Sequence, residues 1–168
     1  MKIIAVILGF SLSLTTFNTA SAGTDNPSTE TIEGIVLETL DMISGDSGEI
    51  RDWESFRFLF APNATFSVVI HRDEGPNILR SYSLEEFVRL GMKVYESSNF
   101  SEIEIKKTID EYNGIAHVFQ SYYVEQDELS EHGINSYQLF FDGDRWWITN
   151  LIWTSDRNGV ELPIDYQN

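Results

Sequence analysis

The chain contains no cysteine among its 168 residues. Disulfide bonds, thiolate metal sites and a cysteine nucleophile are therefore excluded. A chain of this length is long enough to bury a substantial core as a single domain. The fold therefore has to be stabilised by its apolar core alone.

Basic residues are scarce, since 11 Lys and Arg stand against 27 Asp and Glu, for a formal net charge of −16. An acidic surface repels phosphates and anionic lipid headgroups, so neither nucleic acid nor a membrane surface is expected as a partner. The acidic residues are scattered through the predicted loops, which favours a soluble secreted surface. A specific cationic ligand is the alternative.

The motifs that hold nucleotides, metals or an activated serine are also missing. No G-x-G-x-x-G, P-loop or G-x-S-x-G sequence occurs, so no cofactor is expected. The three histidines, His71, His117 and His132, are far apart and lack the H-x-H or H-E-x-x-H spacing, so no metal site is expected either.

A long apolar run occurs only at the N-terminus. Lys2 precedes the apolar residues 3–14, and Ala20-Ser21-Ala22 follows as a small-residue cleavage signal. The pattern predicts a signal peptide over residues 1–22, cleaved before Gly23, and a periplasmic or secreted protein. A membrane anchor is the alternative, but the run is shorter than the roughly 20 residues of a membrane span.

The mature part, residues 23–168, is predicted to be one domain of 168 − 22 = 146 residues. Lys2 is the only charged residue removed with the signal peptide. Ten basic and 27 acidic residues remain, so the mature net charge is 10 − 27 = −17.

Three helices are predicted from caps and apolar stripes. The first begins at the Asn26 cap and ends near Ile43. Asp52 caps a second, short helix that Pro62 ends. Ser83 and Glu86 form a capping box at the start of the third.

Alternating residues and turn signals predict five strands. These strands cover residues 66–71, 103–109, 115–125, 134–142 and 145–154. In the second of them, Ile103, Ile105 and Ile109 alternate with polar residues, as on a half-exposed strand. Helices followed by a meander of long strands indicate an α+β fold.

Seven stretches of the sequence carry a family resemblance. They are residues 44–45 (SG), 51–57 (RDWESFR), 59–64 (LFAPNA), 115–119 (IAHVF), 133–139 (GINSYQL), 142–147 (DGDRWW) and 162–166 (LPIDY). Together they resemble the NTF2-like (SnoaL-like) superfamily, and within it an exported bacterial branch without an assigned reaction.

The resemblance spans roughly residues 32–166. It implies a cone in which a strongly curved, mostly antiparallel sheet wraps around three N-terminal helices. No catalytic motif of ketosteroid isomerase or scytalone dehydratase is matched, so no catalytic residue is carried over.

His117 is the candidate base, because it lies in mid-strand and its side chain titrates near neutral pH. A core or interface histidine bonded to a neighbour is the alternative. Tyr123 shares the strand parity of His117, and Tyr122 points to the other face. Either tyrosine could polarise a carbonyl.

Pocket candidates come from the same strands and the second helix. They are Trp53, Phe56, Phe119, Ser121, Asn135, Ser136, Gln138 and Trp153. The amides and hydroxyls either orient a ligand or join the sheet to a dimer partner. Alternation places Trp147 and Trp153 on one face and Trp146 on the other.

Three functions remain open. The first is binding of a small apolar or aromatic ligand in the cone of a homodimer packed through the sheet. The second is an isomerase or dehydratase in which a pocket carboxylate or His117 abstracts a proton. The third is a non-catalytic assembly module whose cone is filled by side chains. The first is favoured, with the protein more readily a binder than an enzyme.

Overall fold

The structure is a computed structural model that describes residues 26–167. The predicted signal peptide, residues 1–22, lies outside the described residues. Between residues 26 and 167, no helix is both long enough and apolar enough to cross a membrane.

Between residues 26 and 167 three α-helices form, with bounds that partly differ from the prediction. They are α1 (Ile32–Ile43), α2 (Trp53–Arg57) and α3 (Leu84–Val94). The first predicted helix is interrupted at Thr31, whose extended backbone ends a 3-10 turn and whose side chain caps α1. The capping box at the start of α3 is present as predicted.

The helical part is smaller than predicted, because α2 has only five residues. Among the described residues only α1 and α3 are longer than two turns, and two strands precede α3 where one was predicted. Pro62 does not end α2 but lies within the first strand. It sits where the pairing register shifts between Phe60 and Thr65, so its missing N–H breaks no regular ladder.

In the described part of the chain, six strands form one mixed sheet. They are β1 (Phe60–Ile70), β2 (Ile78–Ser83), β3 (Phe100–Tyr112), β4 (Ile115–Gln126), β5 (Leu129–Phe141) and β6 (Trp146–Ser155). Their order is β2-β1-β6-β5-β4-β3, and every pair is antiparallel except β1 with β6. The predicted α+β class and mostly antiparallel sheet are confirmed.

The sequence did not predict β2. This strand pairs only with β1, at the edge of the sheet, and its residues are exposed or half-buried. An edge strand without a buried face lacks the alternation of apolar and polar residues from which a strand is predicted. The sheet therefore has one strand more than the five predicted.

The core lies between the helices and one face of the sheet, which we call the inner face. Aromatic side chains from α2, β1 and α3 pack in its centre: the rings of Phe66 and Phe87 stack 4.3 Å apart, and those of Phe56 and Phe60 lie 4.8 Å apart. Such aromatic pairs stabilise the fold beyond the area that they bury.

A β-bulge in β6 changes which side chains face inward. Leu139 pairs with Ile148 and Gln138 pairs with Asn150, so Thr149 has no partner of its own. Alternation is therefore out of phase on the two sides of Thr149.

The bulge corrects the prediction for the tryptophans of this strand. Trp146 is buried in the core and Trp153 packs against the same core. Trp147 lies on the other, outer face, where its ring is covered by the Arg145 guanidinium at 3.9 Å. Trp146 and Trp153 thus share a face, because the extra residue at Thr149 reverses the alternation.

Candidate functional site

A cavity of about 190 Å³ lies between the inner face of the sheet and the helices. Its apolar walls come from both layers. They are Leu40, Ile43, Phe56, Phe60, Phe87, Val94, Tyr95, Phe100, Tyr122, Val124, Tyr137, Leu151 and Trp153. The polar lining consists of Thr39, Glu102, Gln126, Glu131 and Asn135. An apolar cavity with a few polar groups is typical of a small-molecule site.

Glu102 is the polar centre of this cavity. It lies on β3 and accepts a 2.8 Å hydrogen bond through Oε1 from Nδ2 of Asn135 on β5. Burial raises the pKa of Glu102 to about 7, against the lowering effect of the Asn135 bond, and the nearby Glu131 charge raises it further. Both the acid and the carboxylate are therefore populated near neutral pH.

A network of hydrogen-bonded side chains outside the cavity lining holds the Glu102–Asn135 pair in place. Asn135 Nδ2 also donates to Gln120 Oε1 at 3.3 Å, and Gln120 Nε2 donates to Glu104 at 2.6 Å. Lys107 neutralises Glu104 at 2.5 Å. Because its donor group is engaged twice, the Asn135 amide holds a fixed orientation towards Glu102.

Three tyrosines bring hydroxyl groups to the cavity wall. Tyr122 donates to the Thr154 carbonyl at 3.2 Å, and Tyr137 pairs with Thr39 Oγ1 at 3.3 Å. The Tyr95 hydroxyl has no hydrogen-bond partner within residues 26–167. Burial raises the pKa of each of these phenols, so all three stay neutral at physiological pH.

The cavity meets an open surface groove at Glu131 and Trp153, which line both. Arg157 pairs with Glu131 at this point. Arg72 and His71 lie along the groove, and His71 Nε2 bonds Thr154 Oγ1 at 2.8 Å. Glu131 and Trp153 therefore stand at the mouth of the cavity.

Four of the residues predicted from sequence line the cavity. They are Phe56, Tyr122, Asn135 and Trp153. Trp53 does not: it is buried beside the cavity wall, where its Nε1 donates to Glu96 at 2.8 Å and its ring stacks on Tyr95. Its ring also fills the space above Gly91, so its role is packing.

His117, the predicted base, faces away from the cavity. Its neighbours Ala116 and Val118 are buried in the core, so alternation along β4 turns the imidazole to the outer face. There Nε2 bonds Ser136 Oγ at 3.0 Å. Neither His117 nor Ser136 lines the cavity, which corrects both candidates.

The other candidates of the same parity lie on the outer face as well. Phe119 packs edge-to-face on Tyr166, 5.3 Å between ring centroids, and Ser121 donates to the Lys106 carbonyl. Tyr123 donates to Glu125, and Gln138 is exposed. These four therefore have structural or surface environments, because the inner face holds the opposite set of positions.

Glu102 itself was not singled out from the sequence. The alternation of Ile103 and Ile105 with charged residues suggests that the isoleucines face the core. In the structure Ile103 is 55% exposed and Glu102 points inward, paired across the sheet with Val124. The register shift between Glu104 and Lys106 then returns Ile109 to the inner face.

No three His, Asp or Glu side chains in the described part of the chain are grouped closely enough to hold a metal ion. The polar groups of the cavity are two carboxyls, two amides and hydroxyls, all from separate positions on the sheet and helices.

Fold and cavity together define an α+β protein with a cavity of about 190 Å³ between one face of its mixed sheet and its helices. An NTF2-like protein of unknown function from Pseudomonas putida KT2440 is similar over 82% of this chain and 89% of its own, with 9% identity and a TM-score of 0.56. A protein of unknown function with a cystatin-like fold from Nostoc punctiforme is similar over 73% and 86%, with 11% identity and a TM-score of 0.55.

An NTF2-like protein of unknown function from Pseudomonas aeruginosa is similar over 74% of this chain and 94% of its own, with 11% identity and a TM-score of 0.54. No family model and no curated protein matches the sequence. The structural likenesses confirm that the chain has the NTF2-like fold predicted from its sequence. Because fold alone does not determine function, the activity has to be argued from the cavity.

Proposed function

We propose that this protein binds a small aromatic or apolar molecule with one polar group in the cavity around Glu102. The observation that carries the proposal is the cavity itself, about 190 Å³ of space walled largely by aromatic and aliphatic side chains. Apolar cavities of about 150 Å³ hold a molecule such as benzene. The space therefore suits one ring with a short substituent.

Two polar atoms at the cavity wall support a ligand with a polar group. Glu102 uses Oε1 to accept from Asn135, and its Oε2 has no partner among residues 26–167. The Tyr95 hydroxyl is likewise without a partner in that range. A ligand that bonds both atoms gains affinity and a fixed orientation in the cavity. The cavity also argues against an assembly module whose cone is filled by side chains.

Native mass spectrometry of residues 23–168 purified from the host tests the proposal, with Val124→Phe as the blocking variant. Val124 lines the cavity, so the larger ring occupies ligand space. Val160→Phe is the matched control, since Val160 is 65% exposed. A reproducible small-molecule mass on the wild type and control, lost in Val124→Phe, is expected. A mass that survives Val124→Phe, or no ligand from a screen of aromatic compounds, would refute the cavity as a binding site.

Proton transfer by Glu102 is the second candidate function. A pKa of about 7 suits a group that both takes and returns a proton near neutral pH. The neutral hydroxyl of Tyr95 lies in the same cavity and could polarise a carbonyl, whereas the Tyr122 hydroxyl already donates to the Thr154 carbonyl. Deuterium exchange at the α-carbon of small aryl ketones, followed by NMR, measures this activity. Exchange that Glu102→Gln leaves unchanged would remove Glu102 as the base.

The N-terminal sequence supports export, and the outer face of the sheet supports a homodimer. On that face Ile115 pairs with Phe140, and Phe140 pairs with Trp147, so three apolar side chains lie side by side on β4, β5 and β6. Ile115 is 63% exposed and Phe140 is 37% exposed. A second copy of the chain, seated on this row, would cover them.

A further inference from the structure

The charged side chains that line the cavity are all acidic. Glu102 and Glu131 are among them, whereas the lining contributed by residues 26–167 includes no Lys, Arg or His. Lys107 forms an ion pair with Glu104 and does not line the cavity. Arg157 lines the groove and forms an ion pair with Glu131 there. The interior of the cavity therefore holds carboxyl groups without a basic group facing them.

The aromatic walls add to this negative character. Tyr95 and Phe100 meet edge-to-face at 4.5 Å, and Phe87 and Trp153 do so at 6.2 Å. The faces of aromatic rings carry partial negative charge and attract cations that have shed water. The net charge of −16 also attracts cations to the surface of the whole protein.

We propose that the ligand of this cavity is an organic cation, a primary ammonium group on a small aromatic or apolar body. The inference rests on the proposed function and names its ligand class. The ammonium donates to the free oxygen of Glu102 and to the Tyr95 hydroxyl, while the body lies against Phe87 and Trp153. A carboxylate ligand is repelled by Glu102 and Glu131, and a neutral one can form hydrogen bonds but lacks the charge attraction to the carboxylate.

Binding by this mechanism depends on pH through Glu102. The titratable groups that face or surround Glu102 are Glu104 on its own strand, Tyr122 on β4, Glu131 and Tyr137 on β5, and Tyr95 after α3. The phenols stay neutral over the range tested. The affinity for an amine is therefore expected to rise as the pH passes upward through about 7, where Glu102 loses its proton.

Three probes of one skeleton test the inference: 2-phenylethylamine, 2-phenylethanol and 3-phenylpropanoate, which are cationic, neutral and anionic at pH 8. Isothermal titration calorimetry on residues 23–168 measures each affinity at pH 6 and pH 8. Glu102→Gln removes the charge but keeps an acceptor for Asn135. Glu111→Gln is the matched control, because Glu111 is an exposed residue of the same strand.

We expect the amine to bind at least tenfold more tightly than the alcohol at pH 8, and the carboxylate to bind most weakly. Glu102→Gln should bring the amine and the alcohol within about threefold of each other, and Glu111→Gln should preserve the tenfold difference. Alcohol binding that equals amine binding in the wild type, or an amine preference that survives Glu102→Gln, overturns the amine inference and leaves cavity binding intact. Failure of all three probes overturns both proposals.

Discussion

Asn135 and Glu102 are 33 residues apart in sequence, on strands separated by β4, and yet their side chains meet at 2.8 Å inside the cavity. Gln120 on the strand between them accepts from the same Asn135 nitrogen at 3.3 Å. A buried amide with both of its hydrogens engaged is held in one orientation. The hydrogen bond from Asn135 to Oε1 therefore fixes the orientation of the Glu102 carboxyl group and the position of its Oε2.

Because of Glu102, the free energy of unfolding should decrease as the pH is raised from about 4.5 to about 7. The pKa of its carboxyl is about 7 in the folded protein and near 4.5 when unfolded, so the folded state resists an ionisation that the unfolded state allows. At 1.36 kcal/mol for each pKa unit, the cost approaches roughly 3 kcal/mol above pH 7.

Urea unfolding of the wild type and Glu102→Gln at several pH values measures this cost. The variant should be more stable by up to roughly 3 kcal/mol at pH 8 and should lose that advantage below about pH 4.5. Glu111→Gln controls for the general loss of a negative charge. A difference between wild type and Glu102→Gln that does not change with pH would contradict the raised pKa.

Gly133→Ala should destabilise the fold by about 1–3 kcal/mol. A Cβ at Gly133 would lie 2.3 Å from the Thr154 carbonyl oxygen and 2.3 Å from the Tyr122 hydroxyl. The carbonyl belongs to the neighbouring strand and cannot move aside without breaking the ladder.

Gly159→Ala is the comparison for Gly133→Ala, because a Cβ at Gly159 meets no atom within 4 Å and only its φ of +77° is unfavourable. Thermal unfolding measures both. An equal loss of stability in the two variants would show that the contacts of the new Cβ with Tyr122 and Thr154 do not destabilise the fold.

Trp153 should report on ligand binding by its fluorescence, and Trp147 should not. Trp153 lines the cavity and its mouth, whereas Trp147 lies on the outer face and donates to Asp142. Titration with 2-phenylethylamine should therefore change the emission of the wild type and of Trp147→Phe, but not that of Trp153→Phe. A response that disappears in Trp147→Phe instead would place the ligand on the outer face.

Export should leave a mature chain that begins at Gly23. The residues Ala20-Ser21-Ala22 provide the small side chains that signal peptidase requires. Intact mass measurement of the protein recovered from the periplasm or medium of a bacterial host should match residues 23–168. Ala22→Arg should accumulate as an unprocessed precursor. Recovery of the wild type with residues 1–22 still attached would argue for a membrane anchor.

The mature protein should be a dimer in solution, and Phe140→Asp should shift it to a monomer. The new charge would stand between Ile115 and Trp147 in the apolar row of the outer face. Light scattering after size exclusion measures the mass. Ile164→Asp is the control, since Ile164 is 79% exposed and lies outside the row. A wild type that is monomeric at all concentrations would refute this interface.

Local signals were sufficient for the parts of the fold that local interactions determine. The caps Asp52 and Ser83 lie where the sequence predicts them, because a capping side chain bonds backbone groups only two or three residues away. The cap of α1 is the exception, since it is Thr31 and not Asn26. The bounds of β4 and β6 were also predicted to within one residue, since the turns before them carry positive-φ residues at Asn113 and Gly143. The start of β5 was predicted five residues too late, because the acidic turn at Asp127 carries no glycine.

The candidate site was harder to predict, because one misplaced residue reverses a whole strand. Alternation around Ile103 pointed the wrong set of side chains inward, and the bulge at Thr149 placed Trp153 on the face of Trp146 instead of the face of Trp147. A bulge is set by pairing with a neighbouring strand, so it leaves no signal within a few residues of itself.

The sequence by itself determined the absence of disulfides, the acidic surface and the α+β order of elements, since composition and local periodicity express these directly. Only the tertiary structure decided that Glu102, Asn135 and Trp153 share one cavity and that His117 does not reach it. The reason is physical: the orientation of a side chain on a sheet depends on the register of every strand beside it, and register is a property of the assembled sheet.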